Sequence, residues 1–164
     1  MTELLKWKIP AVWFCVAGIL LGLFDILSQP CLFVQADHDN VAIVPARPGT
    51  AFSIRFIHSV QKTPVRENLA VAEDGHSLVL HSTEYQSFGV GLPFLAEEGD
   101  FRQEGNHYIL EGMERYFPQL TLRTGVGTCL TLYVDQREYR LYEHYPPGTA
   151  VDLFVTSLGK GLLR

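Results

Sequence analysis

His58, Glu67, Ser82 and Glu84 are the residues whose types and spacing could do chemistry in this chain. A histidine between two carboxylates could ligate a metal. A serine, a histidine and a glutamate are also the residue types of a nucleophile, its base and the group that orients the base. Both readings are weak. No second imidazole is placed nearby, since His81 points to the opposite face. No G-x-S-x-G elbow is present, and mid-strand serines are rarely nucleophiles. The simpler reading is a buried polar cluster that is either satisfied internally and fixes strand register, or open as the mouth of a pocket. A buried carboxylate must be paired or protonated, because burying it alone costs several kcal/mol.

Strand alternation brings these residues together. In "AFSIRFIHSV" one face carries Phe52, Ile54, Phe56, His58 and Val60, and in "VRENLAVA" the matching face carries Val65, Glu67, Leu69 and Val71. These are the core faces. A hairpin centred on Lys62-Thr63 sets His58 opposite Glu67, with Pro64 helping to fix the register. A second hairpin centred on Asp74-Gly75 sets Val71 against Leu78, Leu69 against Leu80, Glu67 against Ser82 and Val65 against Glu84. The rim of this polar end would be the loop "SFGVGLP", with Ser87, Phe88, Gly89, Gly91, Leu92 and Pro93. That loop is not a phosphate cradle, as neither a Lys-Ser/Thr pair nor a helix follows it. "DHDN", with His38 between two aspartates, reads as a solvated turn. No cofactor motif is present.

The rest of the chain supplies the frame. Short strands with turn punctuation run from Cys31 to Val155, roughly nine of them at turn spacings of about 8–12 residues, which predicts an all-β antiparallel sandwich or partly open barrel. The only helical candidate within this region lies around Glu111 to Phe117. "RPGTAFSIRFIHS" and "PPGTAVDLFVTS" echo each other, each a Pro-Gly turn feeding an alternating strand. Convergent turn chemistry explains that more simply than a repeat.

Thirteen Lys and Arg stand against 18 Asp and Glu, a net charge of −5. Residues 1–28 hold two charges of each sign (Lys6 and Lys8, Glu3 and Asp25), so the remainder also carries −5. An acidic domain without a basic stripe does not suit nucleic acid. Lys6 and Lys8 precede the uncharged run Ile9 to Phe24, which as helix reaches about 24 Å against a hydrocarbon core of ~30 Å. Trp7, Ile26 and Leu27 extend it. The reading is an uncleaved membrane anchor over residues 1–28, lysines cytoplasmic, with an extracytoplasmic β-domain at 29–164. A cleaved signal peptide is the alternative. Outside the cytoplasm Cys31 and Cys129 could form a disulfide or remain two unpaired buried thiols.

"IHSVQKTPVREN", followed by "TEYQSFGVGLP", resembles a bacterial domain-of-unknown-function family of small exported or membrane-anchored proteins. Genes of that family commonly neighbour tripartite TRAP transporters that use a TAXI-class binding protein. The shared residues are His58, Ser59, Val60, Thr63, Pro64, Val65 and Glu67, then Ser87, Phe88, Gly89, Gly91, Leu92 and Pro93. More weakly, the similarity runs from about Cys31 to Val155. The resemblance implies a compartment, the inner membrane with the β-domain facing the periplasm or cell exterior. It also implies partners, the TRAP membrane subunit or the TAXI-type binding protein. It implies no catalytic residue and no cofactor. The sequence thus leaves two functions open, a non-enzymatic docking module and a small-ligand binder or enzyme built on the polar cluster.

Overall fold

The computed structural model describes residues 3–86 and 99–164, with the side chains of the first helix described from Val12 onward. Lys6, Trp7 and Lys8 at the head of that helix, and all of the rim loop from Ser87 to Pro93, therefore lie outside the described side chains or residues.

Two compact units are present: residues 1–29 together with 157–164, and residues 30–156. The first holds α1 (Glu3–Ser28) and α3 (Leu158–Leu162). From Val12 to Leu27 the large apolar side chains of α1 are exposed on every side, Trp13 at 68% and Phe14 at 80% among them. Residues 12–28 rise about 26 Å, short of the ~30 Å hydrocarbon thickness. Among the described residues no helix is long and apolar enough to cross a membrane. At the C-terminal end of α1, the Leu158 N–H donates to the Gln29 carbonyl at 2.9 Å.

The second unit is built of two antiparallel sheets. Four strands make the smaller, in the order β2 (Asp39–Pro45), β1 (Pro30–Ala36), β12 (Ala150–Ser157), β9 (Gln119–Arg123). The larger has the order β11 (Arg137–Arg140), β10 (Thr131–Val134), β3 (Ala51–Ile57), β4 (Pro64–Val71), β5 (Leu78–Tyr85), β7 (His107–Glu111), β6 (Asp100–Glu104), with β8 (Arg115–Phe117) added to β5. A one-turn helix α2 (Leu141–His144) follows β11. The count exceeds the nine strands that turn spacing predicts. The segment around Glu111 to Phe117, the helical candidate, instead forms the short strand β8. Pairing with Leu78–Leu80 of β5 satisfies its backbone, and three residues are too few to hold a helix without such support.

Both sheets contribute to one core. Leu32, Val34, Val151 and Leu153 come from the smaller sheet; Phe52, Ile54, Leu69, Val71, Leu78, Leu80, Leu132 and Val134 come from the larger. Period-two alternation selects these residues. The Pro-Gly echo is also visible. Gly49 and Gly148 take φ of +81° and +95°, and in each turn the carbonyl three residues back accepts from Thr50 or Thr149 N–H. One turn feeds β3 and the other β12, strands of different sheets, which is turn chemistry used twice.

Candidate functional site

The face assignment on β3 and β4 follows the alternation, but the pairing differs. Ile57 pairs Pro64, Phe56 pairs Val65 and Ile54 pairs Glu67. His58 therefore does not oppose Glu67. It leaves the strand and organises the loop from His58 to Thr63. Its N–H donates to Thr63 O, its carbonyl accepts from Lys62 N–H, and its Nδ1 accepts from the N–H groups of Val60 (3.3 Å) and Gln61 (3.1 Å). An accepting Nδ1 leaves the proton on Nε2. The two-residue turn at Lys62-Thr63 fails on conformation. Type I′ needs positive φ at both positions, and β-branched Thr63 does not adopt it; Lys62 alone has positive φ, at +56°.

The second correction is a β-bulge. Val71 pairs Leu78 and Leu69 pairs Leu80, as the Asp74-Gly75 turn predicts, but Asn68 then pairs Ser82, Glu67 pairs Thr83, Arg66 pairs Glu84 and Val65 pairs Tyr85. His81 is the extra residue. It sits where β5 changes its neighbour from β8 to β7, and its carbonyl accepts from the Met113 N–H at 3.0 Å. One inserted residue reverses the facing of everything beyond it. Thr83 and Tyr85 therefore go inward, 0% and 1% exposed, while Ser82 and Glu84 turn outward.

The four candidate residues are thus dispersed. Glu67 stays inward beside Ile54 and Thr83. Burial pushes its carboxyl above the usual carboxylate range, more than the Arg115 charge pulls it down. His58 is in a loop. Ser82 and Glu84 are joined on the outer face by Asn68, whose Nδ2 donates to Ser82 Oγ at 2.9 Å and to Glu84 Oε1 at 3.3 Å. A Ser-His-Glu catalytic set does not assemble, because Ser82 and Glu67 lie on opposite faces of the sheet. Among the described residues no group of three His, Cys, Asp or Glu comes together to hold a metal. Cys31 is buried on β1 and Cys129 is exposed before β10, and the two are not joined by a disulfide. Burial raises the Cys31 thiol pKa.

The outer face of the larger sheet carries a site that alternation on the inner face conceals. Ser53, Arg66, Asn68, His81 and Tyr133 line an open groove of ≈ 470 Å³. A second groove, ≈ 270 Å³, is lined by Arg55, Arg66, Glu84, Gln86 and His107. Arg66 belongs to both, and its Nη2 reaches Ser53 Oγ at 3.4 Å. Ser53 is only 6% exposed although its face is the outer one. The sequence signal available for this groove was the polar outward parity of two strands, Ser53 and Arg55 on β3 and Arg66 and Asn68 on β4.

A family model described as a domain of unknown function, DUF1850, matches residues 52–141. The match runs from the second residue of β3 to the first of α2, and so spans the larger sheet and nearly all of both grooves. No curated protein and no solved structure matches the chain. The family model covers more than half of the sequence, and the chain belongs to the DUF1850 family of domains of unknown function.

Proposed function

We propose that the protein is a membrane-tethered envelope accessory module, without catalytic chemistry of its own, that works beside a TAXI-type TRAP solute transporter in a bacterial inner membrane. In this reading α1 is an uncleaved anchor, and a β-sandwich domain stands in the periplasm or at the cell exterior. The observation that carries it is α1 itself. A helix with exposed apolar side chains on all faces from Val12 to Leu27 needs an apolar medium around it. The helix continues back to Glu3, which gives it length beyond the described side chains. Support for the transporter link is the motif resemblance from His58 to Pro93. Support for a binding role is the pair of grooves on the outer face of the larger sheet.

The test has two arms. A reporter that works only outside the cytoplasm, fused after Arg164, is active, and detergent-solubilised protein recovers the TRAP membrane subunit or the TAXI-type binding protein. An inactive reporter would overturn the topology. A mature chain beginning near Gln29 or Asp37 would replace the anchor by a cleaved signal. Absence of both transporter proteins would overturn the association.

A second reading is favoured by the grooves. The domain is a small-ligand binder, with its site on the outer face of the larger sheet rather than in an inward cluster around His58 and Glu67.

A further inference from the structure

One row of residues crosses all seven strands of the larger sheet's main path on its outer face. Arg140 pairs Thr131, Thr131 pairs Arg55, Arg55 pairs Arg66, Arg66 pairs Glu84, Glu84 pairs Ile109 and Ile109 pairs Arg102. Directly opposed residues of neighbouring strands share a face, so four arginines lie along one line. The two at the sheet's edges are neutralised. Arg102 contacts Glu104 and Glu111, both at 2.9 Å, and Arg140 contacts Glu138 at 2.8 Å and Glu143 at 3.3 Å. The two at the centre are not. Among the described residues neither Arg55 nor Arg66 has a carboxylate at ion-pair distance, although Arg66 stands directly across from Glu84. Glu84 accepts from Asn68 instead, and the Arg66 guanidinium leans the other way, to Ser53.

Two opposed like charges at the centre of a sheet are unfavourable by themselves. In a chain of net charge −5, acidic side chains to neutralise them are plentiful, yet here the carboxylates go to the edge arginines. We infer that Arg55 and Arg66 form an oxyanion site, which takes the carboxylate or phosphate group of a small organic anion. Guanidinium groups bind such groups through paired N–H donors in fixed geometry. Adjacent central strands hold the two side chains' backbones rigidly, the placement that makes a binding site precise. The two grooves meet at Arg66, and the larger is of the size small-molecule sites have. Ser53, Asn68 and Tyr133 line it with Arg66 and offer hydrogen bonds to the remainder of the ligand, while Asp135 in the same lining disfavours a second anionic group there; Arg55 lines the smaller groove. This goes beyond the tethering and transporter reading and does not depend on it.

The experiment uses the full-length protein in nanodiscs, with no transporter component present. Succinate, citrate and inorganic phosphate are titrated at constant ionic strength against a chloride control, by calorimetry and by thermal shift. At least one of the three binds saturably and raises the melting temperature. Preference between carboxylates and phosphate identifies which oxyanion the site takes. Arg55→Gln and Arg66→Gln each weaken that binding tenfold or more, and Arg66→Lys falls between. Arg102→Gln, at the ion-paired edge, leaves it within twofold. Without ligand the two central variants melt no lower than wild type, because each removes one of two opposed charges. Saturable binding of none of the three probes would overturn the site, and so would binding that Arg66→Gln leaves unchanged. Unliganded Arg55→Gln and Arg66→Gln proteins that both melt well below wild type would make the pair structural and also overturn it.

Discussion

Tyr85→Ala and Glu84→Ala, made separately, test the bulge at His81 on which the placement of every outer-face residue rests. With the bulge, Tyr85 is inward. It is 1% exposed, packs with Val65 and Phe56, and lies 5.6 Å from the Tyr108 ring. Truncating a fully buried aromatic costs about 3–5 kcal/mol, through lost transfer energy and the cavity left behind. Glu84 is a half-buried outer-face residue with one long hydrogen bond, from Asn68 at 3.3 Å. Removing it costs no more than about 1 kcal/mol. At about 4 °C per kcal/mol for a domain of this size, the melting temperature falls by about 12–20 °C for Tyr85→Ala and by at most about 4 °C for Glu84→Ala. Without the bulge the two residues exchange faces. Tyr85 would be exposed and nearly silent, and Glu84 would be a core carboxylate. Thermal unfolding of the full-length protein, followed by near-ultraviolet circular dichroism, reads the difference. A larger loss for Glu84→Ala than for Tyr85→Ala would refute the bulged register and the outer-face groove with it.

Glu67→Gln tests the half-buried, inward-facing carboxyl. Its folded pKa is raised above the ordinary value of 4.5, so between those two pH values the folded state holds a proton that the unfolded chain has released. Stability therefore falls as pH rises through that window and stays lower above it. The variant is more stable than wild type at neutral pH, and the advantage shrinks to nothing below the ordinary value; an advantage that instead grows on acidification would show the carboxyl to be stabilised by ionisation. Thiol chemistry tests the cysteines. Denatured, unreduced protein titrates three thiols, and in a Cys15→Ser background the folded protein shows a fast reaction at exposed Cys129 and a slow one at buried Cys31. Two missing thiols would mean a Cys31–Cys129 bridge.

The inward faces of β3 and β4 were legible because alternation is a property of the backbone and survives errors in pairing. Phe52, Ile54, Val65, Leu69 and Val71 needed no knowledge of the turn. Pairing depends on the loop, and there the sequence was legible only with the right constraint. Lys62-Thr63 looks like a hairpin centre because Pro64 follows, yet Thr63 cannot take positive φ cheaply. Pairing Ile57 with Pro64 instead moves Glu67 from His58 to Ile54. That is a slip of an even number of residues, so it changed the partner without changing the face. For this reason the reading of Glu67 as inward stood while its partner did not. Strands β6 and β8 were hidden for a different reason. All five β6 positions are exposed, so no apolar period marks the strand, and pairing alone makes it one.

The bulge shows why the polar cluster could not stay inside. Continuous alternation along β5 would carry Ser82 and Glu84 into the core and leave Tyr85 in water. The sequence records the change of phase. Its inward leucines, Leu78 and Leu80, precede His81 on one parity, and its largest side chain beyond is Tyr85, on the other parity. Inserting one unpaired residue costs a ladder position, but the His81 carbonyl finds the Met113 N–H at 3.0 Å, so no buried carbonyl is left orphaned there. In exchange a carboxylate avoids desolvation of several kcal/mol and an aromatic ring gains full burial. The balance of those terms settles the register. It also places Glu84 across from Arg66 and Ser82 across from Asn68, which is what makes the outer face of the larger sheet, rather than its core, the place where this chain's polar chemistry is gathered.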